Sequence, residues 1–138
     1  MTRLGFASTL IAALLPLGAS AGDLRVTITG AEANAGSVRA ALFASVEAFD
    51  GDAPLAGSFR VAGERVEFVF PNIAPGRYGV SSFHDANANE ELDRNLVGVP
   101  TERFGFSRNA RGSFGPPAFD DMAIEVGAEG ASITIELR

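Results

Sequence analysis

Apolar and polar side chains alternate without a break in Asp23-Leu24-Arg25-Val26-Thr27-Ile28-Thr29. A period of two residues, with β-branched side chains, is typical of a strand that buries one face and leaves the other in solvent. Leu24, Val26 and Ile28 form the apolar face of this strand. The same pattern returns along the rest of the chain, and it decides the fold class.

Further segments with this alternation follow at intervals typical of an all-β protein. The predicted strands after the first are 36–43, 58–61, 65–70, 77–83, 122–126 and 131–137. Only residues 45–49 suit a helical turn, with Ser45 as its cap. About seven short strands predict a single antiparallel β-sandwich, immunoglobulin-like or transthyretin-like, with a closed barrel as the second choice. Residues 95–120, rich in Gly, Pro and Phe, are expected to form one long irregular loop region.

The alternation also predicts the core of the sandwich. The expected buried side chains are Leu24, Val26, Ile28, Val38, Leu42, Val66, Phe68, Phe70, Tyr78, Val80, Ile124, Ile133 and Ile135. Tyr78 is the only tyrosine, and the phrase 73–78 resembles the tyrosine corner of such sandwiches. In that corner the hydroxyl returns to nearby backbone, which indicates a structural role for Tyr78.

The first 21 residues are typical of an export signal. Arg3 is followed by an apolar run over residues 4–17 and by Ala19-Ser20-Ala21, an A-x-A cleavage site. The apolar run is too short to span a membrane. We therefore expect residues 1–21 to be removed, residues 22–138 to form one domain, and the protein to lie in the periplasm or outside the cell.

Composition narrows the kinds of site and partner that the chain can have. It contains no cysteine, which excludes disulfides and thiolate metal sites. Its formal net charge is -6, and phosphate backbones need a basic surface, so nucleic acid is not expected as a partner. The expected partner is a protein or a carbohydrate, and composition leaves its identity and the oligomeric state open.

Oxygen-bearing side chains recur at alternate positions in one loop. At positions 1, 3, 5 and 9 stand Asp85, Asn87, Asn89 and Asp93. With the backbone carbonyl of Glu91 they can surround a calcium ion. Glu90 replaces the glycine of an EF-hand loop and Leu96 replaces its bidentate glutamate, so affinity should be weak, at about 10⁻⁴–10⁻³ M. The alternative is a connection held together by its own Asn and Asp side chains.

His84 is the only histidine and precedes this loop. Paired with Asp85 or Glu102 it could serve as a general base, which makes a hydrolase the alternative function. No serine or cysteine stands in a recognisable nucleophile motif, so a structural histidine at the base of the loop is the favoured interpretation. A hydrolase needs His84 open to solvent, whereas a non-catalytic module needs it buried or hydrogen-bonded.

Arginine and phenylalanine interleave over residues 102–119. One interpretation is that the phenylalanines cap the open end of the sandwich while the arginines pair with Asp85, Asp93, Asp120 and Asp121. The other is that these long loops form a binding surface for a ligand or a protein.

The chain resembles an uncharacterised family of small exported bacterial proteins, a domain of unknown function. The resemblance is carried by the signature HDxNxNxxLDxN at 84–95, GxPxExxGFS at 98–107 and PxF at 117–119. Family members usually carry glycine where this chain has Glu90. The resemblance implies export and a β-sandwich, and it implies no activity. The expected function is thus an exported, non-catalytic module with a weak calcium site and a binding surface on its loops.

Overall fold

A computed structural model describes residues 21–33 and 35–138. The predicted export signal lies outside these residues, apart from Ala21. Within the described part, two β-sheets pack face to face around one apolar core. The predicted all-β sandwich is confirmed, and the sheets do not close into a barrel there.

The described residues contain eight strands, two short helices and one 3₁₀ turn. The strands are β1 (Gly22–Thr29), β2 (Ser37–Phe43), β3 (Ala56–Val61), β4 (Arg65–Ile73), β5 (Gly76–Asp85), β6 (Phe104–Phe106), β7 (Ile124–Val126) and β8 (Ala131–Glu136). The helices are α1 (Val46–Asp50) and α2 (Phe119–Met122), and the 3₁₀ turn covers Ser107–Asn109.

The first sheet has the strand order β4–β1–β8. β1 runs antiparallel to β4, with Val26 opposite Phe68. It runs parallel to β8, with Val26 opposite Ile133. The predicted antiparallel sandwich therefore contains one parallel pair, which joins the two ends of the described chain.

The second sheet has the order β3–β2–β5–β6, and β7 pairs with another stretch of β5. β2 is antiparallel to both neighbours, with Ser37 opposite Asp85 on β5. Because side chains alternate along a strand, His84 points into the sandwich while Asp85 lies on its outer face with Arg39. This register brings the end of β5 beside the start of β2.

Local chemistry explains where the strands differ from the predicted ones. β4 continues through Pro71 because Pro71 and Asn72 form a bulge opposite Asp23, at the edge of the sheet. A proline needs no ladder partner there, and Asn72 tolerates a φ of 55°. β6 and α2 were not predicted, and β7 begins at Ile124 because the preceding residues form α2.

The core lies between the sheets as the alternation predicts. All the predicted core side chains are buried except Ile124 and Ile133, which are partly buried and pack against it. The tyrosine corner is confirmed, since the Tyr78 hydroxyl donates to the carbonyl of Ala74 at 2.6 Å. The predicted helical turn is α1, where the Ser45 hydroxyl accepts from the backbone N–H of Ala48 at 3.1 Å.

Candidate functional site

The loop of residues 85–93 folds around a buried carboxylate, that of Asp85. This side chain is 0% exposed although it lies on the outer face of the sheet. Its Oδ2 accepts from Arg39 Nε at 3.0 Å and from the backbone N–H of Glu90 at 2.9 Å. Its Oδ1 accepts from the backbone N–H of Asn89 at 3.1 Å. Asp85 thus holds the loop back against the sheet.

The other predicted ligands form a separate cluster. Both carboxylate oxygens of Asp93 accept side-chain amides, one from Asn87 and one from Asn89 at 2.5 Å. The two amide oxygens accept backbone N–H groups in turn, those of Asn89 at 3.3 Å and Glu91 at 3.1 Å. The loop therefore brings Asn87, Asn89 and Asp93 together, while Asp85 faces Arg39.

Glu102 completes the loop from the far side. Its Oε2 accepts from the backbone N–H of Ala86 at 2.7 Å, and its Oε1 accepts from that of Asp93 at 2.9 Å. One carboxylate therefore closes both ends of the loop. Sequence reasoning considered Glu102 only as a partner of His84, because nothing in its own surroundings along the chain indicates a contact with residues 86 and 93.

Glu90 adopts a backbone conformation that favours glycine. Its φ is 68°, in the left-handed region, where a side chain costs about 1–2 kcal/mol. Its carboxylate lies 3.2 Å from Arg39 Nη2, in an exposed ion pair. A glycine at this position would satisfy the turn without that cost.

These contacts agree with the connection held by its own side chains, and the calcium site stays a prediction. In residues 21–33 and 35–138 no three His, Cys, Asp or Glu side chains group to hold a metal ion. The predicted site draws on only two carboxylates, Asp85 and Asp93, with amide and carbonyl oxygens for the rest. To face a cation, Asn87 and Asn89 must turn their oxygens toward Asp93.

His84 lies inside the sandwich end and is 4% exposed. Its Nε2 is 2.5 Å from the carbonyl oxygen of Ala35, and its backbone N–H donates to the backbone carbonyl of Arg103 at 2.8 Å. The hydrogen bonds of Asp85 and Glu102 in the described structure go to Arg39 and to backbone N–H groups, not to His84. This geometry supports a structural histidine.

Next to the loop, two segments enclose an apolar cleft of about 410 Å³. Leu92, Arg94 and residues 97–100 form one wall, and residues 112–116 form the other. The half-buried rings of Phe104 and Phe106 on β6 also line it, 5.9 Å apart and edge to face. A cavity of this size and lining falls in the range of small-molecule sites. We call this cavity the cleft.

Large apolar side chains stand in solvent around the cleft. Leu96 and Phe114 are fully exposed, Val97 is 82% exposed and Val99 is 54% exposed. The 95–99 turn presents Leu96, Val97 and Val99 there, because the side-chain oxygen of Asn95 accepts the N–H groups of both Val97 and Val99 at 3.0 Å. We call Leu96, Val97, Val99 and Phe114 the apolar rim; the first three stand on a hydrogen-bonded backbone turn that is formed before any partner binds.

The phenylalanines of the 102–119 segment do not pack where one interpretation of the sequence placed them, at the open end of the sandwich. Phe106 and Phe119 contact Phe49 of α1, at centroid distances of 6.2 and 6.3 Å, and Phe43 joins them. The two short helices thus cover the outer face of the second sheet rather than the open end of the sandwich.

The arginines of this segment also differ from the prediction. Arg103 lies 3.8 Å from Glu32, and Arg108 donates to the backbone carbonyl of Asp120 at 3.5 Å. Arg111 stacks over the ring of Phe104 at 5.9 Å. The residue that pairs with Asp85 is Arg39, because strand register brings it there.

A family model described as "Uncharacterized protein conserved in bacteria (DUF2141)" matches residues 26–134. This match agrees with the resemblance to an uncharacterised bacterial family. No curated protein and no solved structure matches the chain significantly. Among the described residues, no helix is long and apolar enough to cross a membrane.

Proposed function

Since the chain belongs to DUF2141, an uncharacterised family conserved in bacteria, we propose from its sequence and its geometry that it is an exported, non-catalytic β-sandwich module. The module binds its partner through the cleft. The observation that carries this proposal is the apolar rim, whose side chains stand in solvent beside a concave apolar surface.

Burial energetics support binding at this place. Single exposed apolar residues are ordinary, but a contiguous apolar patch is uncommon on a soluble monomer and marks an interaction site. The rim and the cleft floor together form such a patch on two neighbouring loops. The Asn95 turn and the Glu102 contacts preorganise one of these loops, which reduces the entropy lost on binding.

The surroundings of His84 support a non-catalytic role. A general base must reach a proton on the substrate, directly or through one water. His84 is buried and bonded to the Ala35 carbonyl, and Asp85 and Glu102 already accept from other donors. The alternative, a hydrolase using His84 with either carboxylate, requires all three groups to change partners.

Native mass spectrometry of the protein from the exported fraction of its native host tests the proposal. We expect a polypeptide mass beginning at Gly22, with a bound molecule retained. The variant with Leu96, Val97 and Phe114 replaced by serine should lose that molecule. In the control, Phe59 and Val61 on the edge strand β3, which are 61% and 81% exposed, are replaced by serine and the molecule stays. Retention in the rim variant would contradict binding at the cleft.

The proposal includes weak calcium binding by the 85–93 loop, through Asp85, Asn87, Asn89, Asp93 and the Glu91 carbonyl. At free calcium of about a hundred times the dissociation constant, the folded state should gain about 2.7 kcal/mol. A thermal melt in chelator and in about 10–100 mM calcium, a hundred times the expected dissociation constant, measures this gain. Magnesium should do much less, because it demands shorter bonds.

Asp93→Asn is the informative variant for calcium. It removes a charge from the cation's shell, whereas Asp85→Asn also disturbs the pair with Arg39. We expect no calcium-dependent shift for Asp93→Asn. If the wild type melts alike in both buffers, the loop is only a side-chain-stabilised connection. If the Asp93→Asn variant still shows a calcium-dependent shift in melting temperature, calcium binds at another site.

A further inference from the structure

We infer that the cleft binds a single-chain amphiphile, with an apolar tail on the cleft floor and a carboxylate head group on Arg94. This inference rests on the proposed function, because it names the ligand class of the same cleft. Three properties of the cleft carry it: its charge, the free donors of Arg94 and the shortage of other polar groups.

The charge of the cleft is opposite to that of the protein. The chain has 17 acidic and 11 basic residues. Nevertheless none of the described residues that line the cleft is acidic, and among them only Arg94 carries a charge. Arg111 adds a second positive charge nearby, stacked over Phe104, whose ring lines the cleft. A negative ligand group can therefore pair with Arg94 inside the cleft although the protein as a whole is negative.

Arg94 keeps donors free for such a group. Its Nη1 donates to the backbone carbonyl of Gly98 at 3.2 Å, which leaves most of its five N–H groups available. In the described structure no carboxylate lies within ion-pair distance of Arg94, whereas Arg39 has two such partners and Arg77 has one. A guanidinium presents its N–H groups in a planar fork that matches a carboxylate.

The rest of the cleft suits a hydrocarbon chain and not a sugar. Phe104 and Phe106 form its floor, and Leu92, Val99 and Pro100 line it as well. Besides Arg94, the lining offers only the hydroxyl of Ser113 as a polar side chain. A sugar would find few polar side chains there to pair with its hydroxyls, whereas an alkyl chain gains with every methylene buried.

Isothermal titration of residues 22–138 tests the inference, with dodecanoate below its micelle concentration and with dodecan-1-ol below its solubility limit. We expect dodecanoate to bind at least about tenfold more tightly, because a charged hydrogen-bonded pair replaces a neutral contact. Affinity should rise about fourfold per methylene from octanoate to dodecanoate. Arg94→Gln should weaken dodecanoate to the level of dodecanol and leave dodecanol unchanged.

Arg25→Gln is the matched control, since Arg25 is exposed on β1 and does not line the cleft. It should leave the binding of both probes unaltered. Equal affinities for dodecanoate and dodecanol, both lost in the apolar-rim variant, would overturn the role of Arg94 and leave the proposed function standing. If neither dodecanoate nor dodecan-1-ol binds, the inference that the cleft binds a single-chain amphiphile is wrong.

The native mass measurement then decides the proposed function separately. A polypeptide adduct lost only in the apolar-rim variant would replace the amphiphile by a protein partner. Binding to vesicles of anionic phospholipid without binding of monomeric dodecanoate would also overturn the inference, in favour of a lipid surface.

Discussion

Arg39→Met lowers the free energy of unfolding by about 3 kcal/mol. Asp85 is 0% exposed, and the substitution leaves its carboxylate buried without a positive partner. Removing one member of a buried pair typically costs about 3–5 kcal/mol. We expect the lower end, because Arg39 itself is 24% exposed and two backbone N–H groups still donate to Asp85. Urea unfolding of both proteins measures the difference.

Arg65→Met is the control for Arg39, because it removes the same charge from a pair that is exposed on both sides. Arg65 lies 3.7 Å from Glu67, and both side chains are about two-thirds exposed. Such a pair contributes little, so the change should stay within about 0.5 kcal/mol. Adding Asp85→Asn to Arg39→Met should recover part of the loss, since it removes the unpaired charge. Equal effects of Arg39→Met and Arg65→Met would show that the pair with Asp85 is not needed.

Phe68→Ala costs about 3–5 kcal/mol, the usual range for a buried phenylalanine. The ring is 1% exposed and lies between the sheets, opposite Val26 in the β1–β4 register. Its loss removes transfer energy and leaves a cavity that two hydrogen-bonded sheets cannot easily collapse around. Denaturant unfolding gives the value directly.

Val69→Ala tests the same strand one residue later. Val69 faces outward and is 40% exposed, so its truncation should cost less than about 1 kcal/mol. The contrast between neighbouring positions measures the alternation on which the fold was predicted. A similar cost at both positions would contradict the assignment of inner and outer faces.

Long alternating strands could be predicted from the sequence because the burial of their side chains follows a period of two residues along the chain. β1 and β4 bury every second side chain, and the strand prediction needed no knowledge of partners. β6 has only three residues, too few to show an alternating pattern. Its first residue, Phe104, exchanges backbone hydrogen bonds at 3.1 Å with Arg138, which is distant in sequence. The direction of the β1–β8 pair has no local signal either, because parallel and antiparallel strands can share one alternation.

The candidate site divides in the same way. Residues 85–93 could be located because alternate Asp and Asn side chains are a local pattern. The two residues that hold this loop, Arg39 and Glu102, lie far from it in sequence and reach it through strand register and loop closure. The cleft was indicated only as a long loop region, because its shape depends on how two separate segments meet above β6.

The parallel pairing of β1 with β8 has a consequence for folding kinetics. Leu24 pairs with Ala131, so β1, the central strand of the first sheet, gains its second partner strand only when the two ends of the domain come into contact. Contacts of such high sequence separation raise the contact order and slow folding, because the chain loses the entropy of a large loop before the contact forms. A nascent chain that lacks residues 131–136 leaves one edge of β1 without its ladder partner, and an open edge of this kind invites association with other chains. The domain can complete its first sheet only after the whole of β8 has emerged, so every stage of synthesis before that leaves β1 with one unpaired edge.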